Sequence, residues 1–476
     1  MTTTSKNDTN NFRASNHQSP MEIRLFKTII KSLFYIATLG FALATKLYAN
    51  THFNNQKNEF CSSIIKKCIP IDSLIRKKAN THIEKTNTQQ WYVEFDQEIN
   101  QNSLQEIFEN HHLSKVEARQ LVQRLALQLN KNSVNNYINK KLLEKKRSIK
   151  SIKYIALNNS AIFSFTKIGN ALSGNNLENN ISTHDTKINA DGQQKSPALT
   201  IAVIDSGVST KHEQLNSISI TQFNPLDNDY SIKDTGLGHG TGILSLLAAK
   251  GVNGQQPGLL PDANYLSCNG LPGGKYKFLT TLQCMNWIFL QPKVDVLVNA
   301  WLASTPGCKN EWNYPIQVLW LANTVPVFAV GNYGKSQETN YSPANLNPFG
   351  NSVPLLSVGA IEENGRRLET SSFGLSQCAE NRTLPTIMAP GKDLTVAVPF
   401  TPTSYQRVNG TSYAVAFVGA AIARLLMMFP EISNEKITNS LLETADDLGE
   451  PGVDSHYGHG KFDLSRTISK LRAEKK

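Results

Sequence analysis

The chain has 476 residues, of which 40% are hydrophobic and 18% charged, with 29 Gly and 20 Pro. That is enough for two or three globular domains, and it excludes a collagen-like fibre and a wholly disordered chain. The formal charge of +10 does not indicate a nucleic-acid binder, because residues 1–197 hold 27 Lys+Arg against 15 Asp+Glu while residues 198–476 hold 21 against 23.

The first element in chain order is an uncharged stretch, 32–45, with Leu33, Phe34, Ile36, Leu39, Phe41 and Leu43, preceded by Arg24, Lys27 and Lys31. As a helix it would extend about 21 Å, short of a bilayer core of about 30 Å, so an export signal is expected over residues 1–49 rather than a spanning anchor. Small residues at Ala42, Ala44 and Ala49 supply two cleavage sites, and the one near Ala49 is preferred. Met21 is an alternative start that would leave a compact signal. The competing reading is a buried apolar helix. Export permits disulfides among Cys61, Cys68, Cys268, Cys284, Cys308 and Cys378. Cys61 with Cys68 is a plausible local pair, the other four allow three connectivities, and free buried thiols stand beside both.

Residues 50–168 read as a small α+β unit. A strand is expected at 91–95, helices from the capping boxes Ser103-x-x-Glu106 and Ser114-x-x-Glu117, and two strands at 152–157 and 161–165 joined by a turn at Asn158-Asn159. An Asn/Ser-rich linker follows at 169–197. From 198 to 470 short apolar runs at 200–204, 263–267, 294–298, 325–330 and 355–358 alternate with helical stretches at 240–249, 279–290, 316–323 and 412–429. That alternation predicts an α/β domain around a mostly parallel sheet, with functional residues at the carboxyl ends of strands. Residues 471–476 read as a charged tail.

Three signals for chemistry lie in the α/β part. Asp205 ends the first of its strands, His239 opens a helix within Gly238-His239-Gly240-Thr241, and Ser412 opens another within Asn409-Gly410-Thr411-Ser412. Each alone has an ordinary reading, as a turn aspartate, a structural histidine and a helix cap. Together they run in the order Asp, His, Ser. With Gly331-Asn332, Ser371-Ser372-Phe373-Gly374 and Met388-Ala389-Pro390-Gly391, they make residues 198–465 resemble the subtilisin-like serine proteases.

The resemblance implies a three-layer catalytic domain and a secreted or periplasmic serine endopeptidase. His239 would take the Ser412 proton, Asp205 would orient the imidazole, and the Asn332 amide with the Ser412 N–H would stabilise the oxyanion. It further implies protein or peptide substrates bound by Trp301, Leu302, Ala303, Ala329, Val330 and Gly331, with core packing the alternative for Trp301. The 50–168 unit would be a propeptide acting as intramolecular inhibitor and chaperone, removed by self-cleavage in the linker. No cofactor or catalytic metal is expected, nor any nucleic acid or lasting membrane anchor. Structural calcium is common in the family, but Asp227, Asp229 and Asp234 read more readily as a solvated acidic loop than as ligands. This sequence departs from the family at Ala416 and Phe417, where a Pro and a His are usual, and at 298–303, where the substrate-backbone element is irregular. A transpeptidase using the same site and a silent peptide-binding module are the rival readings.

Overall fold

In the α/β part of the chain, the short apolar runs bounded by turn residues become strands. The computed structural model describes residues 199–475 apart from 227–233, 304–311, 335–341, 346–354 and 380–381, together with the backbone of nine short strands between residues 51 and 165. Six of the nine matter here: β1 (Glu59–Ser62), β2 (Lys67–Pro70), β3 (His82–Lys85), β4 (Gln90–Glu94), β5 (Ile152–Leu157) and β6 (Ser160–Phe165). Strands β3 to β6 form an antiparallel sheet in the order β3-β4-β6-β5, with the expected hairpin between β5 and β6. The β1–β2 register sets Cys61 opposite Cys68. The expected export signal, the helices expected from Ser103 and Ser114, and the expected 169–197 linker lie outside the described residues.

The second part is built on a seven-stranded parallel sheet. Its strands are β7 (Thr200–Asp205), β8 (Ile220–Phe223), β9 (Asn264–Asn269), β10 (Val296–Asn299), β11 (Val325–Ala329), β12 (Leu356–Ile361) and β13 (Ile387–Pro390), in the order β8-β9-β7-β10-β11-β12-β13. An antiparallel hairpin, β14 (Leu394–Ala397) and β15 (Tyr405–Val408), stands beside it. Among the described residues of this part there are six α-helices: α1 (His239–Ala248), α2 (Phe278–Leu290), α3 (Asn313–Leu321), α4 (Thr411–Met428), α5 (Asn434–Glu443) and α6 (Leu464–Glu474).

The period of two along β7 divides the core. Ile201 and Val203 join Leu244 of α1, Ala414 and Val418 of α4, Leu441 of α5 and Leu471 of α6 on one face. Ala202 and Ile204 join Met285 of α2 and Ile316 of α3 on the other. With both faces covered, continuous apolar strands are the stable choice. Helix α4 is long and apolar enough to cross a membrane by composition, yet 78% of it is buried within the fold. Strand β5 of the N-terminal sheet runs against α2 and α3.

The five expected strands and four expected helices of this part all form. The edge strands β8 and β13 escape the sequence pattern because Ile220-Thr221-Gln222-Phe223 carries only two large apolar residues and β13 ends in a proline. Helices α5 and α6 were also missed, although each begins on a side-chain cap, Ser433 accepting from the Lys436 N–H at 3.2 Å and Asp463 from the Arg466 N–H at 2.9 Å. The charged tail is corrected accordingly. Residues 471–474 continue α6, and Leu471 is fully buried.

Cys268 at the end of β9 is bonded to Cys284 in α2, and Cys378 is also in a disulfide. No described cysteine is a free thiol.

Candidate active site

Parallel strands end on the same side of the sheet, and β7 delivers Asp205 there, 1% exposed, with Leu271 N–H bonded to its backbone carbonyl. Its carboxylate faces the first residue of α1. Nδ1 of His239 lies 2.9 Å from Oδ1 and 2.9 Å from Oδ2 of Asp205. The carboxylate needs the Nδ1 proton, so the tautomer that satisfies this contact leaves Nε2 as the lone-pair nitrogen. Gly240 is obligatory in this approach: a Cβ there would stand 2.2 Å from Gly207 O and 3.2 Å from Asp205 Oδ1.

Burial pushes the His239 imidazole down, but the charge and hydrogen bond of Asp205, with the charge of Asp234 added, outweigh it, so His239 sits above its ordinary value. The Tyr413 ring, centroid 5.7 Å from that of His239, is held as a neutral phenol, pushed up to about 12 by burial and by the same two carboxylates.

Ser412 is the second residue of α4, 9% exposed, where a helix leaves its first N–H groups without intrahelical acceptors. The Ser412 N–H has no acceptor among the described residues. Its hydroxyl donates to Ala300 O at 3.3 Å, and no hydrogen bond joins it to His239 in this arrangement. Asn332 comes to the same helix start. Its Oδ1 accepts from the Thr411 N–H at 2.9 Å and from Thr411 Oγ1 at 3.0 Å, which commits the oxygen and leaves the amide nitrogen as the free end. Gly410, with φ at 138°, makes room for that amide, since a Cβ there would stand 3.2 Å from Nδ2 and 3.3 Å from Oδ1.

The residues expected to bind substrate are divided by the fold. Leu302 is half-buried and its Cδ1 lies 3.3 Å from the Cβ position of Gly331, so these two face each other. Trp301 is 3% exposed, its Nε1 donates to Asn299 Oδ1 at 3.1 Å, and its ring packs on Tyr276, Trp312 and Phe328. It takes the core-packing alternative. Ala303, Ala329 and Val330 are buried as well.

Asp234 is not free to ligate a cation from an exposed loop, because four protein donors occupy its oxygens. Asp227 and Asp229 lie outside the described residues, and no group of three or more His, Cys, Asp or Glu among the described residues is arranged to hold a metal. Sequence reasoning missed the Ala300 carbonyl, Thr411 and Tyr413. Thr411 was within reach, as the immediate neighbour of the candidate nucleophile.

The family described as the subtilase family matches residues 196–460. Among curated relatives, subtilisin DY of Bacillus licheniformis is 27% identical over 281 residues, spanning 58% of this chain and 93% of the relative. The thermophilic serine proteinase of Bacillus sp. (strain AK1) is 28% identical over 262 residues, 54% of this chain and 59% of the relative. Among solved structures, a mutant form of the protease domain of PatA gives a TM-score of 0.49 at 20% identity, covering 58% of this chain and 96% of that one.

Proposed function

The chain belongs to the subtilase family, and on that footing we propose that it is a secreted serine endopeptidase using Asp205, His239 and Ser412. The observation that carries this reading is the pairing of His239 Nδ1 with both Asp205 oxygens, the His239 ring lying 5.7 Å from that of Tyr413, the residue after Ser412 at the start of α4.

A serine hydroxyl is a poor nucleophile until a base takes its proton. In the free enzyme the Ser412 hydroxyl is parked on Ala300 O, and catalytic hydrogen bonds often tighten only when substrate is bound. Rotation of the serine side chain toward Nε2 of His239 begins the reaction. The Ser412 oxygen attacks the peptide carbonyl carbon, its proton passes to Nε2, and the imidazolium is stabilised by Asp205. The oxyanion is met by the Ser412 N–H and by Nδ2 of Asn332. The imidazolium then protonates the leaving amine, and water, deprotonated by His239, hydrolyses the acyl-serine.

Leu302 and Gly331 flank the position of the residue before the scissile bond. Residues 50–168 act as a propeptide; the excess of basic residues before the slightly acidic catalytic part and the seating of β5 on α2 and α3 support this role. The Cys268–Cys284 bond suits an oxidising compartment. The test is incubation of the purified protein and of Ser412→Ala with a peptide library and a fluorophosphonate. Hydrolysis and labelling by the wild type alone are expected. Products extended by an added amine component would indicate transpeptidation, and an unlabelled wild type would indicate a silent site.

A further inference from the structure

The helix that carries His239 starts without a cap of its own. Its N-cap is Gly238, in the left-handed region at φ 94°, and offers no side-chain acceptor. Four N–H groups at such an end need partners from elsewhere. The His239 N–H finds Gly236 O at 3.3 Å, and from Gly242 onward the helix supplies its own acceptors, the Gly242 N–H bonding to Gly238 O at 2.8 Å. The middle two are met by side chains from outside the helix: the Gly240 N–H donates to Ser206 Oγ at 3.1 Å, and the Thr241 N–H to Asp234 Oδ2 at 2.9 Å.

Asp234 holds the rest of this end together. Oδ2 also accepts from Thr241 Oγ1 at 2.6 Å, and Oδ1 accepts from Ser206 Oγ at 2.9 Å and from the Gly236 N–H at 2.9 Å. Ser206 and Thr241 are both fully buried. Ser206 thereby joins two carboxylates, because its N–H donates to Asp205 Oδ1 at 2.7 Å while its hydroxyl donates to Asp234.

A positive helix end is a poor place to form an imidazolium, since the macrodipole puts about half a positive charge there. An anion bound at the same end offsets it. Among the described residues, the titratable groups facing His239 are Asp205 from β7, Asp234 from the loop before α1 and the neutral Tyr413 from α4, and none of them is a cation.

We propose that Asp234 is a second positioning carboxylate of the site, which holds the His239 helix start through Ser206, Gly236 and Thr241 and lends its charge to the imidazolium without touching substrate. The inference rests on the catalytic role proposed for His239. It assigns to Asp234 a part in the reaction, where the sequence offered only an acidic loop.

The test compares wild type, Asp234→Asn and Thr241→Val by kcat, KM and NMR titration of the His239 imidazole. Asp234→Asn keeps the shape and removes the charge. Its His239 midpoint is expected to fall by about half a pH unit or more, and kcat at the plateau about three- to tenfold, with KM within about twofold. Thr241→Val breaks hydrogen bonds of the same network but keeps both charges, so it lowers stability and leaves the midpoint in place. An unmoved midpoint and unchanged kcat in a folded Asp234→Asn overturn the proposal, as does an equal midpoint shift in Thr241→Val. Should Asp234→Asn not fold, Ser206→Ala decides: a several-fold loss of kcat supports the network and full activity overturns it. The titration is independent of hydrolysis. A wild type that cleaves no peptide therefore sinks the endopeptidase reading, while the midpoint comparison still decides whether Asp234 acts on His239.

Discussion

The side chains of Asn332 and Thr411 are locked together: Thr411 Oγ1 accepts from the Gly331 N–H at 3.3 Å and donates to Asn332 Oδ1 at 3.0 Å, where the Thr411 N–H also donates at 2.9 Å. This clamp leaves the nitrogen as the end of the Asn332 amide that would serve, beside the Ser412 N–H, in the proposed oxyanion site. Asn332→Ala is expected to lower kcat by about 10²- to 10³-fold with little change in KM. Thr411→Val frees the amide to turn and should lower kcat by a smaller factor in the same direction. Steady-state kinetics on one peptide substrate check both, and a change confined to KM would remove Asn332 from the oxyanion site.

Gly410 offers a harsher test of the same corner. Alanine would face a φ of 138° and contacts of 3.2–3.3 Å with the Asn332 amide. Gly410→Ala should cost about 1–3 kcal/mol in stability and reduce kcat as well. Urea unfolding alongside kinetics measures the two effects, and wild-type values in both would contradict the packing described.

The raised His239 value has opposite consequences for activity and for stability. As a base His239 must be neutral, so activity should fall as pH drops through a midpoint above the ordinary imidazole value of about 6.5. For folding the sign reverses. A group whose value is raised in the folded state stabilises fully below the unfolded value, and that contribution is lost as pH rises through the folded value. His239→Gln should therefore remove a stabilisation present in acid and absent at higher pH, measurable as the difference in melting temperature across that window.

Trp301 should betray its place in the core. Trp301→Ala is expected to cost about 3–5 kcal/mol in stability. Replacing Leu302, which faces Gly331, should instead shift the preference for the residue before the scissile bond. A peptide-library profile and a melting curve of each variant separate the two roles.

Self-processing has a direct readout. Ser412→Ala should leave the precursor uncut between about residues 168 and 199, and mass spectrometry of the purified chain decides it. Cleavage of that variant at the same bond in the absence of other proteases would assign processing elsewhere.

Much of the architecture was legible because a strand buried on both faces must be almost wholly apolar, and 201–204 and 325–330 are. The order of Asp205, His239 and Ser412 and the glycines beside them were equally open to reading. The edge strand β8 was not, since one exposed side relaxes the pattern, and α5 and α6 were masked by polar faces that resemble loops.

What the amino-acid order determined by itself was the alternation that makes a parallel sheet and the residue types gathered at its carboxyl end, because burial and turn chemistry act over a few neighbouring positions. The tertiary structure alone decided that Trp301 belongs to the core, that Asn332 is turned by Thr411, and that Asp234 accepts from the Thr241 N–H at the start of the His239 helix. Those outcomes depend on partners lying as far as 79 positions away, and a hydrogen bond exists only when folding brings its two ends within about 3 Å.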